Sequence, residues 1–526
     1  DHGQSWDRIS PDLTTNDPQK QKQEESGGVT VDNSAAETNT TIYSISESPK
    51  QAGLIWVGTD DGNLQLTRDD GKHWTNVVGN IHGLPRGEWV SWVQASSFDA
   101  GTAYVAFDRH SFGDMAPYIY ETRDYGKSWT ALVTPKDAKG LRGYVHVIKQ
   151  DPVKPNLLYA GTEFGLWISI DDGDHWAQFK GGHFPAVAVR DIAFQDRDAA
   201  LVLATHGRGI WIVDDITPLR ALDAKVLDSE ASFLPSQPVQ QRIQGYGGWP
   251  GGDAAFIGPN PTDGAVITYY QRSRHLFGKL KIEVLDSKGD LIDTLPANVR
   301  RGISRVTWSM RTKPPRVPPA AQIAGNSIVG PRVMPGVYTI RMTKGKDVFE
   351  TRLKVTLDRR ASFSLADRQA QFDAATRVKT LFGNMSDLVA RINAVRSAAD
   401  AAASSLPAAD ASRKLLASLS DQANAIRQKI VATTEGGAIT GEERLREHTD
   451  ELYGAIMSWE GRPTDYQLAY LDTLTRELGD VQKAFAMFQA GPLAKTNAEL
   501  KLHQLKEISV PANVPEQDGD SGGGKE

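Results

Sequence analysis

Thr67-Arg-Asp-Asp-Gly-Lys-His-Trp74 returns as Thr122-Arg-Asp-Tyr-Gly-Lys-Ser-Trp129 and again as Ser169-Ile-Asp-Asp-Gly-Asp-His-Trp176. The three Asp positions, 69, 124 and 171, lie 55 and 47 residues apart, a spacing that suits one four-stranded propeller blade plus a variable loop. The pattern Ser/Thr-x-Asp-x-Gly-x-x-Trp reads as a hairpin turn. The carboxylates of Asp69, Asp124 and Asp171 accept backbone N–H bonds across it, and Gly71, Gly126 and Gly173 take a positive φ. Trp74, Trp129 and Trp176 bury their indoles against the sheet. These nine residues are therefore expected to be structural. The chain opens with Asp1-His-Gly-Gln-Ser-Trp6, the last six positions of the same pattern. That opening predicts further blades, supplied by the same precursor or by another chain.

The repeat resembles the Asp-box (BNR) repeat of sialidase-like, xyloglucanase-like and sortilin-type β-propellers, often labelled glycosyl hydrolases. The resemblance covers residues 1–215, with about three full blades and two part blades. It implies an exported, bacterial-type protein, periplasmic or extracellular. It leaves function open, because propellers with this repeat include glycosidases and non-catalytic receptors or assembly factors.

Alternating strands support the blades: Thr41 to Ser46, Leu54 to Gly58 and Leu64 to Thr67, then two further sets and a half-blade ending at Val213. Residues 216–262 read as a Pro/Gly-rich linker, including Gly245 to Gly252. Residues 263–358 carry short alternating strands. With Lys281-Ile-Glu-Val-Leu-Asp286 and Met334-Pro-Gly-Val-Tyr-Thr-Ile-Arg341 they resemble the immunoglobulin-like β-sandwich modules appended to bacterial secreted proteins. From Ser364 the period changes to about 3.6. Residues 362–508 are expected to form an antiparallel helical bundle, with capping boxes at Ser364, Thr440 and Thr464 and a last short helix near Thr496 to Ile508. The tail 509–526 is expected to be disordered.

A net charge of −6 and a pI near 6.1 give no electrostatic footprint for nucleic acid, and no apolar run is long enough to span a bilayer. The absence of cysteine excludes disulfides, Cys-type zinc sites and thiol catalysis. The histidines show no metal-ligand spacing, and no cofactor motif is present.

In such blades the motif turn lies on the lower rim, so a ligand belongs on the opposite, upper face. Segments entering the inner strands supply Glu88, Trp89, Arg142, Tyr144, His146 and Arg190. Loops between second and third strands supply Asp61, Asp108, Arg109, His110, Glu163, His206 and Arg208. Trp89, Arg109, His110, Arg142, Tyr144, Arg190, His206 and Arg208 are the candidate contacts for a carbohydrate or protein ligand. Glu88 with Glu163, or Asp61 with Asp108, are the carboxylate pairs that glycoside hydrolysis would need. A binding or scaffold role is favoured, with a sialidase-like or xyloglucanase-like hydrolase as the alternative.

Overall fold

The computed structural model describes residues 2–25, 31, 39–243, 258, 260–436 and 441–512, which divide into two compact units. The first unit takes Asp1–Gln237 with Thr268–His275 and Arg300–Arg305. Its strands form successive antiparallel meanders. Strands β1 (Ile42–Glu47), β2 (Ile55–Thr59), β3 (Leu64–Thr67) and β4 (Thr75–Asn76) make the first sheet. Strands β5 (Trp89–Ala95), β6 (Ala103–Asp108), β7 (Tyr118–Thr122) and β8 (Thr130–Val133) make the second. Strands β9 (Val145–Gln150), β10 (Leu158–Thr162), β11 (Gly165–Ser169) and β12 (Ala177–Gln178) make the third. The fourth has three strands, β13 (Val189–Gln195), β14 (Ala200–Thr205) and β15 (Ile210–Val213). Serial four-stranded meanders of this kind are consistent with a β-propeller. Short helices α1 (Thr217–Arg220) and α2 (Ala224–Asp228) follow.

The sheets stack through their inner strands, β1 on β5, β5 on β9 and β9 on β13. Side chains alternate across a strand, so the second and third sheets each bury two faces. Val93 and Val105 turn toward Trp56 and Leu66 of the first sheet. Tyr104, Ala106 and Ile119 turn toward Ile148 and Ala160 of the third, and Val147, Tyr159 and Leu166 meet Ile192, Leu201 and Leu203 of the fourth. Each large apolar side chain buried there stabilises the stack by about 1.5–3 kcal/mol.

The three motif turns share one geometry. Thr67 Oγ1 accepts from the Gly71 amide at 2.9 Å, and Asp69 Oδ1 accepts from the His73 amide at 3.0 Å. The same bonds recur at Thr122, Asp124, Gly126 and Ser128 and at Ser169, Asp171, Gly173 and His175. Asp70 with Gly71, Tyr125 with Gly126 and Asp172 with Gly173 hold φ between 58° and 86°, the left-handed region that favours glycine. The amides of Asp70, Tyr125 and Asp172 bond to Gly53, Gly101 and Asn156 in the turns between first and second strands. All three motifs therefore lie on one rim.

The tryptophans differ from the expectation of uniform burial. Trp176 is buried in the cluster between the second and third sheets, whereas Trp74 and Trp129 are half-buried. Trp74 donates Nε1 at 3.2 Å to the carbonyl of Ile9, which lies in an irregular segment. Trp129 stands edge-on to Trp56.

The second unit takes Pro238–Ile267, Leu276–Val299 and Val306–Glu526. Strands β16 (Ala231–Leu234), β18 (Ala265–Gln271) and β21 (Gly302–Trp308) form a three-stranded sheet, of which β16 and residues 268–271 and 302–305 belong to the first unit. A five-stranded sheet runs in the order β17 (Val239–Gln241), β23 (Asp347–Leu357), β22 (Gly336–Lys344), β19 (Leu280–Leu285), β20 (Leu291–Leu295). This differs from one sandwich confined to 263–358. Both β16 and β17 come from the segment read as a linker, and β17 pairs in parallel with β23, Val239 opposite Val355. Its three residues are too few to show a period.

Helix α3 (Leu365–Ser405) starts at the Ser364 capping box, followed by α4 (Ala411–Arg427), α5 (Leu445–Met457) and α6 (Asp465–Phe488), the last with the Thr464 capping box. A π-turn over Gln489–Leu493 carries α6 directly into α7 (Ala494–Leu502). The expected separate last helix is thus a continuation, because the wider turn accommodates Pro492, which has no N–H to donate. The helices share one apolar core that includes Phe382, Leu416, Tyr453, Leu474 and Phe485. Thr440, residues 244–257, most of 26–38 and the tail from 513 lie outside the described residues.

Candidate functional site

Opposite the motif rim, the starts of β1, β5, β9 and β13 meet the turns that follow β2, β6, β10 and β14. Two hydrogen-bonded groups stand there. In the first, the turn after β6 tightens into a single 3-10 turn, His110–Phe112, closed by Gly113 in the left-handed region. This aims Arg109 back at the start of β5. Its Nη1 donates to Glu88 Oε1 at 2.6 Å, its Nε lies 3.0 Å from Asp114 Oδ2, and Tyr118 donates to that same oxygen at 2.7 Å. Glu88 is only 4% exposed, and its Oε2 has no hydrogen-bond partner among the described residues.

The second group is built on β9 and the turn after β10. His146 Nε2 lies 3.1 Å from Glu163 Oε2, and Arg190 of β13 reaches His146 Nδ1 at 3.3 Å. His110 joins the groups. Its Nδ1 is 2.7 Å from Asp108 Oδ1, and its ring stacks on Tyr144 with centroids 4.7 Å apart and planes 17° from parallel. Tyr144 stands edge-on to His146, Trp89 lies 6.1 Å from His110, and Tyr43 stands edge-on to Trp89 at 4.7 Å. Tyr43, Trp89, His110, Tyr144 and His146 thus form a continuous row of rings across the first three sheets.

The two glutamates are shifted in opposite senses. Burial pushes the Glu88 carboxyl up, against the lowering effect of Arg109. Burial also pushes Glu163 up, but hydrogen bonds from His146 and Tyr144 outweigh it and hold it below the usual carboxylate range. Burial, and then the Arg190 charge, lower His146, which favours its neutral form. Burial and the hydrogen bond to Glu163 push Tyr144 up to about 12.

The structure therefore brings together Glu88 with Arg109, and His110 with Tyr144, Glu163 and Arg190. Arg142, His206 and Arg208 stand exposed outside these groups. Asp61 is buried, and both its oxygens are engaged. Oδ2 accepts from the Thr15 amide at 2.6 Å and Oδ1 from Thr59 Oγ1 at 2.5 Å, so this carboxylate anchors the segment before β1. Asp108, equally buried, accepts from the His110 amide at 2.9 Å as well as from its ring. Sequence reasoning missed Asp114, Tyr118 and Tyr43. Asp114 follows a glycine in the same turn as Arg109, and Tyr43 falls on the alternation of β1. Among the described residues no group of three or more His, Asp or Glu is placed to hold a metal ion, and no helix is long and apolar enough to cross a membrane.

No protein-family model matches the chain. An 85-residue stretch, 16% of the chain, is 32% identical to the oligoxyloglucan-reducing end-specific xyloglucanase of Emericella nidulans, and spans 10% of that enzyme's length. Among solved structures, YCF48 from Cyanidioschyzon merolae aligns with a TM-score of 0.25 at 17% identity, over 33% of this chain and 55% of that one. YCF48 bound to D1 peptide gives 0.22 at 16%, over 37% and 76%. An ancestral GH74 enzyme gives 0.28 at 13%, over 60% and 41%. The local xyloglucanase match agrees with the coarse reading of a β-propeller-type array.

Proposed function

We propose that this is an exported binding module of the sortilin-like, Asp-box propeller type, which takes a carbohydrate or protein ligand on its upper face. The observation that carries this is the row of five rings from Tyr43 to His146, flanked by Arg109 and Arg190. Tyr43 is exposed and Trp89 and His110 half-buried, with buried Tyr144 and His146 backing them; accessible rings of this kind offer apolar surface with polar edges, the combination that holds a sugar or an extended peptide. Glu88 and Asp114 are engaged with Arg109, and Glu163 with His146, so these charges orient the face. Titration calorimetry with xyloglucan oligosaccharides and with a displayed peptide library tests the reading. Trp89→Ala and His110→Ala are each expected to weaken the bound probe at least tenfold, roughly 1.4 kcal/mol or more, with both variants still folded by circular dichroism. If neither probe class binds, or both variants bind as wild type does, the ring row is not the site.

A hydrolase is the second reading, favoured by the opposite shifts of Glu88 and Glu163. One carboxyl raised and one lowered is the direction of division that glycoside hydrolysis uses for its acid and its second carboxylate. Release of reducing ends from xyloglucan oligosaccharides, abolished by Glu88→Gln with binding retained, would replace the binding reading with this one.

A further inference from the structure

Between β21 and β22, in the second unit, the chain passes through Lys313-Pro-Pro-Arg-Val-Pro-Pro319. Four prolines fix φ there and stiffen the segment. Side-chain bonds tie it to α3. Lys379 Nζ donates to the Lys313 carbonyl at 2.6 Å, Arg316 Nη2 to the Gly383 carbonyl at 3.2 Å and to Asp387 Oδ1 at 2.6 Å, and Ser386 Oγ to the Arg316 carbonyl at 2.8 Å. Beside these bonds the segment and the helix leave a cleft of about 510 Å³, within the range of roughly 300–1,000 Å³ usual for small-molecule sites. The prolines and the bonds hold its walls in place, which lowers the ordering cost of binding.

One wall of the cleft is the face of α3 that carries Phe372, Thr376, Lys379 and Gly383. Toward Gly383 the cleft is cationic, with Lys313, Arg316 and Lys379. Asp387 answers Arg316, but no carboxylate pairs with either lysine among the described residues. Lys379 spends one of its three donors on the Lys313 carbonyl. Burial, and then the neighbouring Lys313 charge, hold Lys379 below the usual lysine range. Two ammonium groups kept together without a counter-charge cost free energy that an anion relieves. Seven residues earlier on α3, about 10 Å along the helix, the cleft is apolar. Phe372 is half-buried there, yet it stands outside the apolar core that its helix shares, and the Arg368 guanidinium lies 5.9 Å from its ring.

We propose that this cleft binds a small amphipathic anion, with its carboxylate or phosphate head between Lys313 and Lys379 and its apolar chain lying back along α3 to Phe372. Each part of the cleft then has a task. The lysines supply the unspent charge and donors, Arg316 and Asp387 fix the wall behind them, and Phe372 takes the apolar end. A pocket that is mostly apolar, with a few converging polar groups and a lysine displaced from its ordinary titration, is the usual composition of a ligand site.

Titration calorimetry of the full chain with octanoate and with octyl phosphate tests this. At least one should bind saturably at one site per chain, and the tighter of the two names the head. Acetate and inorganic phosphate lack the chain and octanol lacks the charge, so each should bind at least tenfold more weakly. The Lys313 side chain is exposed and bonds to nothing among the described residues, so Lys313→Met should weaken the amphiphile at least tenfold with an unchanged urea midpoint. Thr376 is exposed on the cleft wall, and Thr376→Trp should fill the cleft and abolish binding in a chain still folded by circular dichroism. Trp89→Ala, in the first unit, should bind the amphiphile as wild type does, which separates this site from the ring row. No saturable binding of either amphiphile, octanol binding as tightly as they do, or full affinity in folded Lys313→Met or Thr376→Trp would each overturn the proposal.

Discussion

Three equivalent glycines provide a graded test of the blade repeat: Gly71→Ala, Gly126→Ala and Gly173→Ala. All three hold φ between 76° and 86°, so each substitution carries the same left-handed strain of about 1–2 kcal/mol. The surroundings differ. A Cβ on Gly173 would meet the tip of Leu132 at 3.2 Å, a side chain that turns aside easily, and one on Gly126 would meet β-branched Val77 at 3.0 Å. On Gly71 it would fall 2.1 Å from the carbonyl oxygen of Ile9, which is backbone and must move. Moving it breaks the bond from Trp74 Nε1 to that carbonyl, a further loss of about 1 kcal/mol. The expected costs are therefore about 2–3 kcal/mol for Gly71→Ala and about 1–2 for Gly173→Ala, with Gly126→Ala between. For a unit of this size each kcal/mol lowers Tm by about 2–4 °C. Thermal melts followed at the first unit, with indole N–H exchange at Trp74, measure both effects. A Gly173→Ala melt at or below that of Gly71→Ala, or unchanged exchange at Trp74 in Gly71→Ala, would refute the assignment of Ile9 to the position of Val77 and Leu132.

Arg109→Met leaves the buried Glu88 carboxylate without its cation and should cost about 3–5 kcal/mol by urea unfolding. Adding Glu88→Gln should return most of that loss, and a double variant no more stable than Arg109→Met would contradict the pairing. Asp69 is held at about 2, first by the His73 side chain and then by the His73 amide. Its folded value is depressed, so its contribution is fully present above the ordinary value of 3.8 and is lost as pH falls toward 2. The stability gap between wild type and Asp69→Asn should accordingly narrow through that window in acid titrations of the melt. Ser364→Ala removes the cap of α3 and is expected to cost about 1 kcal/mol in the second unit, read as a lower urea midpoint with an unchanged slope.

What the sequence displays is what is local. The motif residues satisfy one another within a few positions, Thr67 with Asp69 and Gly71, Asp69 with His73, so their chemistry is visible as spacing and survives into the structure as three turns with the same bonds. The capping boxes at Ser364 and Thr464 are legible for the same reason. The site is different because its bonds cross between elements. Arg109 meets Glu88 across 21 residues and Arg190 meets His146 across 44, and no spacing rule specifies such partners. Asp61 reads as a rim carboxylate, yet Thr15, 46 residues earlier, engages it. Strand β17 is hidden because three residues show no alternation, and it exists only through β23.

The coupling between the two charged groups bears on what the face can do. Hydrolysis asks Glu88 to release a proton at its reacting oxygen, and Arg109 at 2.6 Å stabilises the ionised form that cannot do so. Burial works the other way, and the net upward shift records a balance between them. Glu163 answers to His146, Tyr144 and Arg190, and the His110 and Tyr144 rings, stacked at 4.7 Å, connect the two groups. A substrate reaching both carboxyls would have to part that stack and draw Arg109 away from Glu88, leaving a buried carboxylate unpaired. A ligand lying along the rings requires neither movement. Tyr43 is exposed and Trp89 half-buried. On the proposed binding reading, recognition at the accessible rings asks for no such rearrangement, whereas hydrolysis asks for one centred on Arg109.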